Sequence, residues 1–402
     1  MIQNVIRGRD SILKAAEMID ALGIRRPLIV GSRHLIPRLQ RGETLETAPV
    51  FSGYHPNPDL ADAEAGVEIY RTQECDGIIS IGGGSAMDTA KAIKAWMCAE
   101  STEDLKANRL NIPADSGTGG TEGKIASPRD LKKRAGRPKG KSRIPHLAIP
   151  GTAGSGAEAT ATAVVYENGQ KLSLSHPALL PEGVILDAGL LDSLPDYHKK
   201  SCALDALSQG IESYWARGAT EDSRVHAFLA FRGVLDNLKG YLAGDPHAAE
   251  EMMDASYQSG KAIYTTRTTA AHAMSYQITK LLGPAHGHAC ALTLPILWDL
   301  LVENGETHAM MADLAEKMGL GEPMMGSRLL RGILIDLEMP VPGMPNEEML
   351  DRLASSVNAE RLSNHPMTLS PAQIRAVYRR AFTPLGSNER QACLDIWKYY
   401  GT

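Results

Sequence analysis

A buried-strand run, three consecutive glycines and a helical pattern follow one another without a break between Ile78 and Lys91. Ile78-Ile79-Ser80-Ile81 reads as a strand covered on both faces, Gly82-Gly83-Gly84 as a tight turn, and the residues from Ser85 onward as a helix. Neighbouring segments repeat the alternation. Ser11 to Leu22 and Asp59 to Gln73 carry apolar residues at helical spacing, as does Ala86 to Trp96, while Pro27-Leu28-Ile29-Val30 and Leu147-Ala148-Ile149-Pro150 read as short buried strands. Strands alternating with helices indicate an α/β layer with a largely parallel sheet. After about Pro181 helical periodicity dominates and strand patterns nearly vanish. With 402 residues, more than one compact core usually fills, the expectation is an α/β domain over 1–181 and an all-helical domain over 182–402.

The triple-glycine turn suits an anion. Glycines let backbone N–H groups approach a ligand, and a helix N-terminus adds unpaired donors and a positive dipole end. Gly83, Gly84 and Ser85 are therefore candidate phosphate contacts, with Asp88 beside them; Ser85 and Asp88 also have the spacing of a capping box. A second glycine-rich loop, Pro150 to Glu158, follows another strand, and its Thr152 and Ser155 are placed to close over a diphosphate or a nicotinamide. Together the two loops point to a dinucleotide cleft in the α/β domain. After the strand ending at Val30 stand Gly31, Ser32 and Arg33, with no acidic residue to hold a ribose 2′-hydroxyl. Arg33 is either tolerant of a 2′-phosphate, favouring NADPH over NADH, or a plain exposed loop arginine.

A second constellation lies in the helical half. Asp205 and Gln209 are four residues apart and share a helix face. Farther on, His272 sits among small and apolar residues, and His286 sits in a glycine-bounded turn. Two histidines with a carboxylate and an amide form a mixed nitrogen and oxygen set suited to Fe²⁺ or Zn²⁺. Read alone, each of these residues is equally a structural one.

Composition removes several classes. The 42 Lys and Arg against 47 Asp and Glu give a net charge of -5, which speaks against a nucleic-acid protein. Five scattered cysteines with no CxxC pair argue against a disulfide framework and for a reducing compartment. The N-terminus has no signal-peptide pattern, and the most apolar run, Ala289 to Leu297, is too short to span a membrane, so a cytoplasmic location is expected. The stretch from Glu100 to Arg143, with Lys132-Lys133-Arg134 and Lys139-Gly140-Lys141, reads as a solvated surface loop without assigned function.

In their order along the chain these segments resemble the iron-containing, metal-dependent alcohol dehydrogenases. The family's GGGSxxDxxK pattern stands here as Gly82 to Ser85, Asp88 and Lys91, its PTTAGTGSE loop as Pro150 to Glu158, and its DAxxHxxE helix as Asp205 to Glu212. The later HxMxH and PHG motifs stand as His272 to Tyr276 and Ala285-His286-Gly287. Two departures are evident: Gln209 replaces a metal-binding histidine and Tyr276 replaces a second active-site histidine. The segments Lys171 to Pro177, Gln209 to Trp215 and Thr268 to Tyr276 are similar to the phosphonoacetaldehyde reductase branch.

The resemblance implies a dehydroquinate synthase-like architecture and an NAD(P)H-dependent reduction of an aldehyde, phosphonate-bearing in that branch, in a homodimer or larger assembly. It implies that Asp205, His272 and His286 hold the divalent metal, with Gln209 as a weaker fourth ligand or a hydrogen-bond donor near it. Tyr276 would orient substrate. Among cationic and hydroxyl groups for the phosphonate and the cofactor's phosphates, Lys171 and Arg267 are the expected anchors. Two other readings remain: a general short-chain alcohol dehydrogenase, and a nucleotide-binding relative whose metal site has decayed, Gln209 being the first sign.

Overall fold

A computed structural model describes residues 3–39, 43–99, 101–108, 144–357 and 362–400. The basic clusters at 132–134 and 139–141 lie outside them. Eight strands are present among the described residues: β1 (Asn4–Arg7), β2 (Pro27–Gly31), β3 (Val50–Phe51), β4 (Gly77–Gly82), β5 (His146–Pro150), β6 (Thr162–Glu167), β7 (Gln170–Ser175) and β8 (Gly183–Leu186). Six of them form one parallel sheet in the order β1-β8-β5-β4-β2-β3, and β6 pairs antiparallel with β7. Every residue of β2, β4, β5 and β8 is buried, which explains their unbroken apolar runs: helices cover both faces of a parallel sheet.

The helices of this half are α1 (Ala15–Ala21), short α2 (Ile36–Leu39) and α3 (Glu43–Glu46), α4 (Leu60–Thr72), α5 (Gly84–Cys98) and short α6 (Thr102–Lys106). The segment from Ser11 to Lys14, expected as part of one helix, is a tighter 3-10 turn leading into α1. The Asp62 carboxylate turns back to accept the Asp59 N–H at 2.9 Å, fixing the start of α4. The sheet reaches past residue 181, because β8 completes it between β1 and β5. Its four-residue length is too short for a periodicity to be read from sequence, and it is tied in by a buried ion pair. Lys94 of α5 donates to Glu182 at 3.0 Å, and Glu182 also accepts the His146 N–H at 2.8 Å.

From Asp196 onward the described structure is helical: α7 (Asp196–Trp215), α8 (Glu221–Leu242), α9 (Pro246–Thr266), α10 (Ala270–Leu282), α11 (His286–Glu303), α12 (His308–Lys317), α13 (Met325–Asp336), α14 (Glu347–Ser355), α15 (Pro371–Phe382) and α16 (Ser387–Tyr400). Helix α7 is the centre, with α8, α9 and α11 packed around it and an unbroken buried stretch from Ala203 to Trp215. That stretch includes Asp205, Ser208, Gln209, Glu212 and Ser213. Buried polar side chains need partners, so a polar stripe on the central helix marks the place to look for chemistry. No helix among the described residues is long and apolar enough to cross a membrane.

Candidate metal and dinucleotide site

The three loops singled out in the sequence leave the carboxyl ends of adjacent strands β2, β4 and β5, so they share one edge of the sheet. Backbone bonds hold them together: Ser32 N–H to Ile81 O at 3.0 Å and Gly151 N–H to Gly82 O at 2.8 Å. This edge is where open α/β sheets receive ligands. A side chain at Gly83 would lie 3.3 Å from Thr152, and one at Gly84 would lie 3.3 Å from Ser155, so the gap between the two loops is kept clear of side chains. Such a cradle fits a diphosphate against the N-terminus of α5. Arg33 is exposed and donates to Ser52 Oγ at 3.3 Å.

The expected Ser85–Asp88 capping box does not form. Gly83 is the N-cap of α5 and Ser85 lies inside its first turn, where its hydroxyl accepts the Asn57 N–H at 3.2 Å. Asp88 instead takes a backbone bond from Val164. Burial lifts its carboxyl to about 6, against the pull of Lys91, Lys171 and His286. Lys91 is fully buried and ties α5 to the second loop, donating to Ala157 O at 2.6 Å, Thr160 Oγ1 at 2.9 Å and Thr162 O at 3.0 Å.

Facing this edge, Asp205, His272 and His286 converge, and Cys290 joins them; one donor atom from each lies within 4.8 Å of all the others. His272 Nε2 is 3.2 Å and His286 Nε2 3.9 Å from Asp205 Oδ1, and Cys290 Sγ is 3.9 Å from His286 Nε2. The approach of α11 to α7 depends on Gly287, where a side chain would meet Ser201 O at 2.0 Å and Asp205 Cβ at 2.6 Å.

The outer nitrogens of both rings are committed. Glu212 Oε2 accepts from His272 Nδ1, and Glu212 Oε1 accepts from Thr269 Oγ1 at 2.6 Å and Ala271 N at 2.8 Å. The Ser275 hydroxyl donates to His272 O at 2.9 Å, so its oxygen accepts from His286 Nδ1 at 3.3 Å. With Nδ1 protons assigned by these bonds, both Nε2 atoms face Asp205. A carboxylate, two imidazole nitrogens and a thiol sulfur turned inward form a set of donor atoms that a metal ion, or a proton shared by His272 and Asp205, satisfies. The same field raises His272 well above its usual pKa: burial opposes the charge, but Cys290, Glu212 and Asp205 outweigh it. Burial pushes the Cys290 thiol up, yet the His272 and His286 rings bring it down to about 7.

Gln209 is not free to serve in the same way. Its oxygen accepts from Ser259 Oγ at 2.7 Å and its nitrogen donates to Ser155 O at 3.2 Å, so it ties α7 to α9 and to the second glycine loop. Tyr276 lies flat on His286, ring centroids 5.6 Å apart and planes 16° apart, and Lys171 Nζ from β7 stands 3.5 Å from the centroid of the Tyr276 ring. Arg267 caps α9 with φ 60°, is exposed, and has no hydrogen bond or ion pair to the donor cluster.

Sequence reasoning missed Glu212, Ser275 and Cys290 as site residues. Glu212 is seven residues from Asp205 and Cys290 four from His286, both helix-face spacings that could have found them.

The fold, with a glycine-loop edge of the kind that receives dinucleotides facing a cluster whose donors could hold a metal ion, is that of a two-part oxidoreductase. The model of the iron-containing alcohol dehydrogenases matches residues 3–188, and that of the C-terminal part of the same family matches residues 200–382. The chain belongs to the iron-containing alcohol dehydrogenase family, and is a nicotinamide- and divalent-metal-dependent alcohol dehydrogenase or aldehyde reductase. It is 32% identical to phosphonoacetaldehyde reductase of Streptomyces viridochromogenes over 298 residues, 72% of this chain and 67% of that one. Lactaldehyde reductase of Escherichia coli K12 is 27% identical over 300 residues, 72% of this chain and 71% of that one. Among solved structures, an iron-containing alcohol dehydrogenase of Thermotoga maritima superposes with a TM-score of 0.76 at 27% identity, covering 95% of this chain and 98% of the other. Sulfoacetaldehyde reductase of Bifidobacterium kashiwanohense, solved with NAD+, shares the fold with a TM-score of 0.79 at 24% identity, covering 95% and 97%.

Proposed function

We propose that the chain reduces an aldehyde carrying an anionic group, phosphonoacetaldehyde foremost, to the primary alcohol: aldehyde, NAD(P)H and a proton give alcohol and NAD(P)+. The observation that carries this reading is the Lys171 ammonium above Tyr276, itself stacked on His286. It places a positive charge on the aromatic wall that adjoins the Asp205–His272–His286 cluster, the sign of charge that an anionic aldehyde needs. The 32% identity to a phosphonoacetaldehyde reductase supports it.

In this reading Asp205, His272 and His286 hold the metal. Gly83, Gly84, Ser85, Thr152 and Ser155 receive the cofactor's diphosphate, and Gly31, Ser32 and Arg33 its adenosine end, where the absence of a carboxylate admits NADPH beside NADH. When bound, the cation polarises the aldehyde carbonyl and the reduced nicotinamide supplies hydride. Glu212 and Ser275 keep the Nδ1 protons of His272 and His286, so that both Nε2 lone pairs stay directed inward. Tyr276 walls the site and orients the substrate's carbon chain, while Lys171 pairs with the phosphonate. Asp88, beside Lys171 and His286, sets the charge at the cofactor's side of the cleft.

The test is a reductase assay with phosphonoacetaldehyde and propanal, each with NADH and NADPH, in enzyme supplied with Fe²⁺ or Zn²⁺. A charge-assisted contact predicts kcat/KM about 10–100-fold higher for the phosphonate. Equal or faster turnover of propanal would favour a general short-chain alcohol dehydrogenase.

A further inference from the structure

We propose that Cys290, not Gln209, supplies the fourth protein donor to the metal, making a carboxylate–bis-imidazole–thiolate site. The inference deepens the metal-dependent reading above and rests on it. Three observations carry it. First, Cys290 lies one helical turn after His286 on α11, is fully buried, and belongs to the four-donor cluster, its sulfur 3.9 Å from His286 Nε2. Metal bonds of 2.0–2.3 Å around a tetrahedral ion separate its donors by about 3.3–3.8 Å, so the separations of 3.2, 3.9 and 3.9 Å, in a cluster whose donors all lie within 4.8 Å of one another, need shifts of about an ångström or less to close on an ion. Second, both amide atoms of Gln209 are already used, the oxygen by Ser259 and the nitrogen by Ser155. Turning that oxygen to a metal would break the Ser259–Gln209 tie, leaving the Ser259 hydroxyl to Ser256 O alone, and loosen the link between α7, α9 and the second glycine loop. Third, the Nδ1 positions of both histidines are tied outward, so the inward set comprises Asp205 Oδ1, two Nε2 atoms and the sulfur.

The consequence is a softer site. A thiolate adds a second negative ligand to Asp205, so a divalent ion is neutralised by its protein ligands, and thiolate ligation favours zinc over iron. Loss of imidazole at position 209 is thus offset by a donor arriving from a different helix.

The experiment uses the full chain stripped of metal and reloaded with Co²⁺ alone, whose spectrum reports its ligands. A thiolate-to-cobalt charge-transfer band in the near ultraviolet is expected, together with stoichiometric cobalt. Cys290→Ala and Cys290→Ser should both lose the band. Chelator competition should show Cys290→Ala binding cobalt at least about tenfold more weakly, with Gln209→Ala within about threefold of the parent. Circular dichroism separates a folding defect from a ligand defect, and Cys290→Ser, which keeps the volume, guards against one. Stoichiometric cobalt without the band, or a band that survives Cys290→Ser, overturns the assignment of Cys290 but leaves the metal site standing. Failure of the parent chain to bind cobalt overturns both.

Discussion

Glu212 and His272 are joined through the histidine's Nδ1, with the carboxylate buried and its second oxygen fixed by Thr269 and Ala271. Those neighbours, with His272 itself, keep Glu212 below its usual pKa in spite of its burial. In the proposed metal site Glu212 is therefore a positioning residue, which would act on the metal through the orientation and proton of the His272 ring. Glu212→Gln places an amide N–H or a poorer acceptor against Nδ1 and favours the tautomer whose Nε2 carries a proton toward Asp205. Metal affinity should fall about 10–100-fold while the helical circular dichroism is kept. Chelator competition measures this, and unchanged affinity would show that Glu212 serves only to cap α10.

Metal removal should cost stability as well as activity. Without a cation, acceptors from α7, α10 and α11 face one another inside the helical half. Ligand linkage gives about 2.7 kcal/mol of stabilisation at a free metal concentration one hundred times Kd. Stripping the protein with a chelator should lower Tm, and adding back Zn²⁺ or Fe²⁺ should restore it. An identical Tm with and without metal would mean that the cluster binds none under those conditions.

Lys171→Met tests the substrate's charge. The variant keeps an aliphatic chain on β7 against the Tyr276 ring but removes the ammonium that stands 3.5 Å from its centroid. KM for phosphonoacetaldehyde should rise about 10–100-fold, with propanal turnover within about twofold of the parent. Lys171→Arg should recover part of the loss. Parallel losses on both aldehydes would instead assign Lys171 to holding Tyr276 and Asp88 in place.

What the sequence discloses and what it hides divide along physical lines. Strands β2, β4 and β5 are legible because a parallel strand covered on both faces must be apolar throughout. The four-residue β1 and β8, the two-residue β3 and the β6–β7 hairpin, which is only half-buried, lack runs long or clean enough to declare themselves. At the site, Asp205, His272 and His286 stand out by residue type. Their convergence is invisible in the sequence, since it is set by α11 seating on α7 through Gly287. Cys290 is hidden for the same reason: Cys75 and Cys393 are buried too, so among five scattered cysteines only its neighbours distinguish it. Lys171 and Arg267 carry equal weight as isolated cations, and the fold separates them by putting one over Tyr276 and the other at an exposed helix cap.

Glu158 closes the second glycine loop and provides a pH prediction away from the metal. It is 1% exposed, and burial raises its carboxyl to about 7 against the partial pull of its own backbone N–H and of Lys91. A carboxyl raised on folding acts opposite to a salt-bridged one. Between the ordinary value of 4.5 and about 7 the native state holds a proton that the unfolded chain has released, so stability falls as pH rises through that window. Above about 7 the full penalty of the buried charge is present, of order 3 kcal/mol from a shift of this size. Glu158→Gln removes the charge without changing the volume. It should match the parent at pH 5 and exceed it by about 1–3 kcal/mol at pH 8, as read from denaturant midpoints at the two pH values. A variant less stable than the parent at pH 8 would show that the Lys91–Glu158 attraction outweighs the cost of burying the charge.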